Sequence, residues 1–224
     1  MWQIDLRQAA DAFAPGSFSN RFRDRRFIRF ERIIDNVSRP VSILDIGGTA
    51  TFWQHRGWAD HADYRITTLN IAAEESPAAN ITCTTGDATD LSQYDDASFD
   101  VVFSNSVIEH LFTFDAQKAM ASEVRRYWVQ TPYFWFPMEP HFHVVGWQWL
   151  PMSVRVAMIR RRQCGHRGPC PEPTAARKLV EEVRLVTRRE MRRLFPDAAI
   201  WNERFAGLTK SLVAWRPFAP AQDS

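Results

Sequence analysis

Short apolar runs alternate with amphipathic, helix-length segments along the first 130 residues. Val41–Ile46 is apolar and ends at two glycines, as a buried parallel strand does. Further strands are predicted at Arg65–Ile71, more weakly at Asn80–Thr84, and again at Asp100–Ser104 and Tyr127–Gln130. This alternation is typical of βαβ units, so it predicts an α/β protein with a mostly parallel sheet and helices on both faces.

Amphipathic helices are predicted before, between and after these strands. Residues 17–37 place apolar side chains at helical spacing among arginines and aspartates, which predicts a leading helix. Val107–His110 leads into a helix that we expect to continue over residues 115–126. Further on, the pattern Thr187-Arg-Arg-Glu190 is a capping box, which predicts a helix that ends at the next proline.

The alternation stops between residues 132 and 173, where aromatic residues, prolines and then arginines are frequent. We interpret this segment as an insertion or lid within a single domain of residues 1–224. After it, Val183–Val186 predicts a short strand. Ala198–Phe205 and Lys210–Trp215 predict an antiparallel hairpin within residues 198–216.

Composition narrows the class of protein. No run approaches the roughly 18 apolar residues that cross a bilayer, the first residues lack the layout of a secretory signal, and three cysteines make no disulfide framework. These features predict a cytoplasmic protein. The net charge of +2 conceals arginine clusters at 21–32, 155–167 and 184–193, which we interpret mainly as solvated helix faces. Nucleic acid is therefore a minor hypothesis as a partner.

The stretch ILDIGGTATFW, residues 43–53, lies where the first strand of a doubly wound sheet meets its nucleotide. Gly47 and Gly48 allow a tight turn and close approach of the backbone, and Asp45 can accept hydrogen bonds from amides or from an ammonium group. A dinucleotide loop, G-x-G-x-x-G, has glycine where this chain has Thr49 and Phe52, so a pyrophosphate would be crowded. The loop favours a nucleoside and argues against an NAD-dependent oxidoreductase.

Polar residues after the next two strands extend this candidate site. Asn70 follows the glycine loop by about 20 residues, where a hydrogen-bonding side chain holds a ribose; its alternative role is to start a turn. Asp87, followed by Ala88, could accept a hydrogen bond from an adenine amine, or it could cap its own loop. Both alternatives stay open at the level of sequence.

Four segments, in order and spacing, resemble the class I S-adenosylmethionine-dependent methyltransferases, in particular the small bacterial type 11 methyltransferase domains. They are LDIGG (44–48), TLNI (68–71), TGDATDL (85–91) and SFDVVFSNSVIEHL (98–111). The resemblance covers about residues 41–131. It implies a Rossmann-like, seven-stranded, mostly parallel sheet of order 3-2-1-4-5-7-6, with S-adenosylmethionine as cofactor and S-adenosylhomocysteine as product.

The resemblance also implies contacts to each part of the cofactor. Asp45, Gly47, Gly48 and Thr49 would surround the methionine part with Trp53 as a wall, Asn70 would hold the ribose, Asp87 and Ala88 the adenine, and Ser104 and Asn105 the sulfonium side. Two departures are GGTAT in place of GxGxG and Asn70 in place of an acidic residue. They motivate the alternative of a methyltransferase-like protein that binds a ligand or partner without catalysis.

The acceptor side is predicted in residues 131–151, since methyltransferases of this kind build their acceptor pocket after the fifth strand. Aromatic side chains there could wall a cavity or pack as core, with Glu139, His141 and His143 as convergent polar groups and the pair Glu109-His110 after the fourth strand. One of these would remove a proton from a hydroxyl or ammonium acceptor. We expect no metal, because Glu139, His141 and His143 lack an evident remaining ligand set.

The acceptor itself is predicted to be a small molecule, such as a sugar or another biosynthetic intermediate. Met152–Arg162 predicts a basic amphipathic helix that could cover the pocket, recruit an anionic acceptor or rest on a membrane surface. Methylation of nucleic-acid bases is disfavoured, because Ser104-Asn-Ser-Val107 stands where those enzymes carry Asp-Pro-Pro-Tyr or Asn-Pro-Pro-Tyr. The methylated atom and the oligomeric state stay open.

Overall fold

The computed structural model of the chain describes residues 18–72, 75–76 and 78–216. The strands are β1 (Val41–Ile46), β2 (Tyr64–Asn70), β3 (Ile81–Thr85), β4 (Val101–Asn105), β5 (Tyr127–Pro132), β6 (Ala199–Phe205) and β7 (Leu208–Trp215). The α-helices are α1 (Phe18–Ile34), α2 (Ala50–His55), α3 (Phe114–Ser122), α4 (Met152–Arg161), α5 (Pro173–Glu181) and α6 (Arg188–Leu194). Single 3-10 turns lie at Ile108–His110 and Trp147–Trp149. From the sequence we expect the tail after Pro217 to be frayed, and this segment lies outside the described residues.

All seven strands form one sheet of order β3-β2-β1-β4-β5-β7-β6. Strands β1 to β5 pair in parallel, whereas β7 runs antiparallel to both β5 and β6. This order is the one that the resemblance implied, and the fold class is confirmed. The central strands β1, β4 and β5 are almost entirely buried, because helices cover both faces of a parallel sheet.

The chain divides into two compact units. The larger, Ser38–Pro217, contains the whole sheet. In the smaller, helix α1 buries Phe27, Phe30 and Ile34, a spacing that places the three side chains on one helical face. Among the helices of the described residues, none combines the length and the apolar composition needed to cross a membrane.

Local signals explain where several elements begin and end. The capping box is present: the Thr187 hydroxyl accepts from Glu190 N, and the Glu190 carboxylate accepts from Thr187 N. The predicted hairpin is also present, but its turn contains only Ala206 and Gly207, both with positive φ. Because a two-residue turn of this kind suits the strand twist, β7 begins earlier than predicted.

Two predictions of secondary structure were wrong, and one helix was missed. The helix expected over residues 107–126 is broken into a 3-10 turn and α3, because Thr113 caps a new helix by accepting from Ala116 N. The strand expected at Val183–Val186 is only a single bridge between Val186 and Tyr133. Helix α5 was not predicted, although it carries Pro173 in its first turn and a capping carboxylate from Glu172.

The segment after β5 builds a small core of its own. Helices α4 and α5 pack together over the stacked rings of Phe142 and Trp147, whose centroids lie 4.2 Å apart. Ile159 and Val180 complete this cluster from the two helices. The insertion is therefore a folded layer, and its buried aromatics hold the neighbouring polar residues in place.

Candidate active site

The loop after β1 is a turn that only glycine fits. Gly47 has a φ of +73°, donates from its backbone N to Leu69 O at 2.7 Å, and lies against Val107. A Cβ on Gly48 would stand 1.7 Å from Asp45 Oδ2, so the carboxylate lies directly against the backbone of the loop. Thr49 then caps α2 by accepting from Phe52 N. Gly47 is required by its backbone conformation and by close approach, and Gly48 by close approach alone.

The Asp45 side chain is held in place by a hydrogen bond from a tryptophan. The Nε1–H of Trp53 donates to Asp45 Oδ2 at 2.8 Å, and both side chains are buried. Trp53 packs against Phe52, Trp58 and Phe103 inside the core. From the sequence we expected Trp53 to form a wall of the cofactor site. The side chain is fully buried, and it is linked to the loop by its hydrogen bond to Asp45.

Neighbouring parallel strands bring the other predicted cofactor residues to the same edge of the sheet. Ile46 pairs with Leu69 on one side and with Ser104 on the other, so Asn70 and Asn105 flank the glycine loop. The Nδ2 of Asn70 donates to Gly48 O at 3.2 Å, and its Oδ1 accepts from Ile71 N at 2.8 Å. Asn70 therefore ties the end of β2 to the loop.

Asp87 lies in the loop after β3 and is exposed. Its Oδ1 accepts from both the backbone N and the hydroxyl of Thr89 at 2.8 Å, and these bonds lower the pKa of the carboxyl group. The side chain thus caps its own loop, which is the alternative that the sequence left open. A contact of Asp87 and the half-buried Ala88 with an adenine stays a prediction.

The end of β4 contains an unsatisfied hydroxyl. Ser104 is fully buried, and its Oγ has no hydrogen-bond partner among the described residues. After the half-buried Asn105, Ser106 has a φ of 62°, and its hydroxyl donates to Gln130 Oε1 at 3.0 Å. Because buried polar groups nearly always find partners, the hydroxyl of Ser104 is a candidate contact for a ligand.

Glu109, which precedes His110 at the exit of the fourth strand, is a fully buried carboxyl group on the 3-10 turn after β4. Thr131 donates from its hydroxyl to Glu109 Oε2 at 3.0 Å, and Arg184 N donates to the Glu109 backbone carbonyl at 2.7 Å. Glu109 Oε1 has no partner among the described residues. Burial raises the pKa of Glu109 to about 7.

Glu139 is a second buried carboxylate, and it fixes His141. Its Oε1 lies 2.6 Å from His141 Nδ1, while its Oε2 accepts from the backbone N atoms of His141 and Phe142 at 2.8 and 2.7 Å. Burial opposes protonation of His141, but the hydrogen bond and the charge of Glu139 outweigh it, so the pKa of His141 is raised. The other ring nitrogen of His141, Nε2, takes no part in this contact with Glu139.

Glu109, His110 and His141 converge although they come from two separate segments. The rings of His110 and His141 are perpendicular, with centroids 4.8 Å apart. One carboxylate oxygen and one nitrogen from each ring all lie within 4.8 Å of one another, an arrangement that could hold a metal ion. We refer to these three residues as the two-histidine cluster.

His143 does not complete the cluster as we expected. Its backbone N donates to Glu139 O, but its ring packs against His166 with centroids 4.9 Å apart. Burial, and then the neighbouring His166, lower the pKa of His143. The structure thus joins three of the four predicted catalytic residues, namely Glu139, His141 and His110, to Glu109.

A cavity of about 610 Å³ is lined in part by Glu139, the carboxylate that bonds to His141 of this cluster. Three of the predicted aromatic walls line it, namely Phe134, Phe142 and Trp147. Trp135 and Trp149 are instead 58% and 45% exposed. The aromatic segment is therefore divided between a cavity wall, a small core and the surface.

Comparison with known proteins agrees with this architecture. The model of the methyltransferase domain family matches residues 44–134, from within β1 to just after β5. The matched residues are similar to that family, and the chain has the strand order of the class I S-adenosylmethionine-dependent methyltransferase fold. No curated protein gives a significant match to the sequence.

Solved structures extend the likeness of fold over most of the chain. A Rhodobacter sphaeroides protein, provisionally described as a Zn-dependent alcohol dehydrogenase, is 12% identical with a TM-score of 0.51, over 97% of this chain and 100% of that one. A Bordetella parapertussis protein, provisionally described as exported, is 11% identical with a TM-score of 0.50, over 87% and 68%. At these identities the likeness concerns the fold alone.

A third similar structure covers much less of each chain. It is a Galdieria sulphuraria protein, provisionally described as a sarcosine dimethylglycine methyltransferase, which is 19% identical with a TM-score of 0.40 over 51% of this chain. The chain spans 48% of that protein's length.

Proposed function

We propose that this chain transfers a methyl group from S-adenosylmethionine to a small-molecule acceptor. The observation that carries the proposal is the loop after β1, where the buried Asp45 carboxylate lies against Gly48 within the matched methyltransferase domain. When bound, the cofactor supplies a methyl group on a positively charged sulfur. The protein's own task is to bind, orient and exclude water.

The residues at the edge of the sheet fit this cofactor. Gly48 leaves room for the Asp45 carboxylate to lie against the backbone of the loop, where it can attract an ammonium group. The unpartnered Ser104 hydroxyl supports a further contact on the sulfonium side. In the proposed site, Asp45, Gly47, Gly48 and Thr49 hold the methionine part, Asn70 the ribose, Asp87 and Ala88 the adenine, and Ser104 and Asn105 the sulfonium side.

On the acceptor side, we assign the activation of the nucleophile to the two-histidine cluster and Glu139. Glu139 orients His141 through the 2.6 Å contact, so the opposite ring nitrogen is presented to a ligand. The adjoining cavity of about 610 Å³ is of a size that suits small molecules. Once the acceptor's nucleophile is aligned with the methyl carbon and sulfur, in-line displacement needs little further help.

Calorimetry with S-adenosylmethionine and S-adenosylhomocysteine tests the proposal. We expect both to bind at one site per chain, and incubation with a panel of hydroxyl and amine acceptors to release S-adenosylhomocysteine. Absence of binding of either compound at millimolar concentration would overturn the proposal. The same titrations with the Gly48→Ala variant distinguish binding at this loop, which the substitution should abolish, from binding elsewhere, which it should leave unchanged.

A second candidate function is a methyltransferase-like protein that binds the cofactor, or another ligand or partner, without catalysis. It is supported by Asn70, because both its amide nitrogen and its oxygen already bond to the backbone, at Gly48 O and Ile71 N. Cofactor that binds but is never consumed across a broad acceptor panel would favour this function over methyl transfer.

A further inference from the structure

One histidine of the two-histidine cluster, His141, is held by one side of its ring. It bonds through Nδ1 to Glu139, and the ring of His110 stands perpendicular to it at a centroid distance of 4.8 Å. Metal-ligating histidines are usually oriented in this way, by a carboxylate or a carbonyl on the nitrogen that does not bind the metal. The Nε2 of His141 therefore stays available as a ligand.

The carboxylate of Glu109 provides an independent observation. It is 0% exposed, its Oε2 accepts from Thr131, and its Oε1 has no partner among the described residues. A buried carboxylate oxygen without a hydrogen bond is costly, because the group loses its hydration without compensation. A cation beside Glu109 would supply the missing interaction.

From this geometry we infer that Glu109, His110 and His141 bind a divalent transition-metal ion. Their ligand atoms already lie within 4.8 Å of one another, and metal bonds of about 2.0–2.2 Å would need only small side-chain movements to draw them together. Two imidazoles and one carboxylate suit Zn²⁺, Fe²⁺ or Co²⁺ better than Mg²⁺, which prefers oxygen ligands. Glu139 would not bind the ion; it would orient His141.

The role of the ion deepens the proposed function and rests on it. Three protein ligands leave a coordination position open for an acceptor hydroxyl. Bound there, the hydroxyl loses its proton to water, and its oxygen forms the new bond to the methyl carbon. The methyl–sulfur bond breaks, its electron pair stays on sulfur, and S-adenosylhomocysteine is the product. The ion thus specifies an oxygen acceptor, such as an alcohol or a phenol.

Metal titration of tag-free protein, stripped with EDTA, tests the inference. We expect one equivalent of Co²⁺ or Zn²⁺ to bind by calorimetry, with Mg²⁺ far weaker, and Co²⁺ to develop visible absorption bands. Glu109→Gln and His141→Ala should each weaken Co²⁺ binding at least about tenfold. His61→Ala, which removes an exposed histidine, serves as the matched control and should bind as the wild type does.

Binding of S-adenosylhomocysteine is measured on the same samples. This second measurement shows whether each variant is folded, and it tests the proposed function separately from the metal site. Absence of Co²⁺ and Zn²⁺ binding in protein that still binds S-adenosylhomocysteine would overturn the metal site and leave the proposed function standing. Metal binding that Glu109→Gln leaves unchanged would overturn it too. Normal metal binding without any cofactor binding would support the metal site and overturn the proposed function.

Discussion

The indole N–H of Trp53 donates to Asp45 Oδ2 at 2.8 Å, eight residues along the chain and inside the core. The same Oδ2 is the atom that a Cβ on Gly48 would meet. The tryptophan therefore positions the carboxylate that shapes the glycine loop, and the loop depends on the packing beneath it.

Replacing Trp53 with phenylalanine should disturb both stability and cofactor binding. Loss of a buried hydrogen bond to a carboxylate is expected to lower the free energy of unfolding by about 2 kcal/mol, measured by urea denaturation. Asp45 would lose its orientation, so calorimetry should show affinity for S-adenosylhomocysteine weakened by about tenfold. Trp149→Phe, at a half-exposed tryptophan, should change neither quantity. Unchanged affinity in folded Trp53→Phe would contradict the positioning role.

Gly48→Ala should abolish cofactor binding. The added Cβ would overlap the Asp45 carboxylate, which must then move, at an expected cost of about 1–3 kcal/mol in the free energy of unfolding. S-adenosylhomocysteine should no longer bind at millimolar concentration. Gly57→Ala is the control, since Gly57 also has positive φ but has open space around it; it should lose some stability and keep full affinity. Full affinity in Gly48→Ala would disprove the assignment of this loop.

His141→Ala should lower turnover far more than cofactor affinity. The ring lies in the two-histidine cluster on the acceptor side, and removal of a group that activates the nucleophile costs about 100-fold or more in rate. The check is the initial rate of methyl transfer to an acceptor found in the panel, with calorimetry of S-adenosylhomocysteine alongside. His61→Ala is expected to keep the full rate. Equal turnover in His141→Ala and wild type would remove the proposed role.

The capping box of α6 should make stability depend on pH. Burial opposes ionisation of Glu190, but hydrogen bonds from the backbone and hydroxyl of Thr187, and then from Arg184, outweigh it and lower the pKa of Glu190. A lowered pKa means that the stabilisation is complete above the ordinary value of 4.5 and is lost as the pH falls through the value in the folded protein.

Glu190→Ala should therefore be less stable than wild type by about 1 kcal/mol at neutral pH, measured by urea denaturation. The difference should narrow below pH 4.5, as the wild-type carboxylate becomes protonated. Glu181→Ala, in the exposed pair with Arg177, is the matched control and should cost less. A difference that stays constant down to acidic pH would show that ionisation of Glu190 contributes nothing.

Much of the fold could be predicted because its signals are local. Apolar runs that end at glycine or proline mark β1 and β5, and the Thr187–Glu190 spacing marks α6. Helix α5 also has such signals, in Glu172 and Pro173. We did not predict it, because the arginines and prolines around it are not typical of a helix. Elements were missed where a capping residue interrupts a longer pattern, as Thr113 does before α3.

The amino-acid sequence alone determined which residues follow each strand: a glycine loop after β1, an amide side chain after β2 and polar residues after β4. Parallel strands end at one edge, so these residues had to meet there. Only the tertiary structure decided that Trp53 supports Asp45 from the core and that Glu109 joins His110 and His141. The reason is physical: burial and orientation of a side chain depend on what distant segments pack against it, as Thr131 and Arg184 do around Glu109.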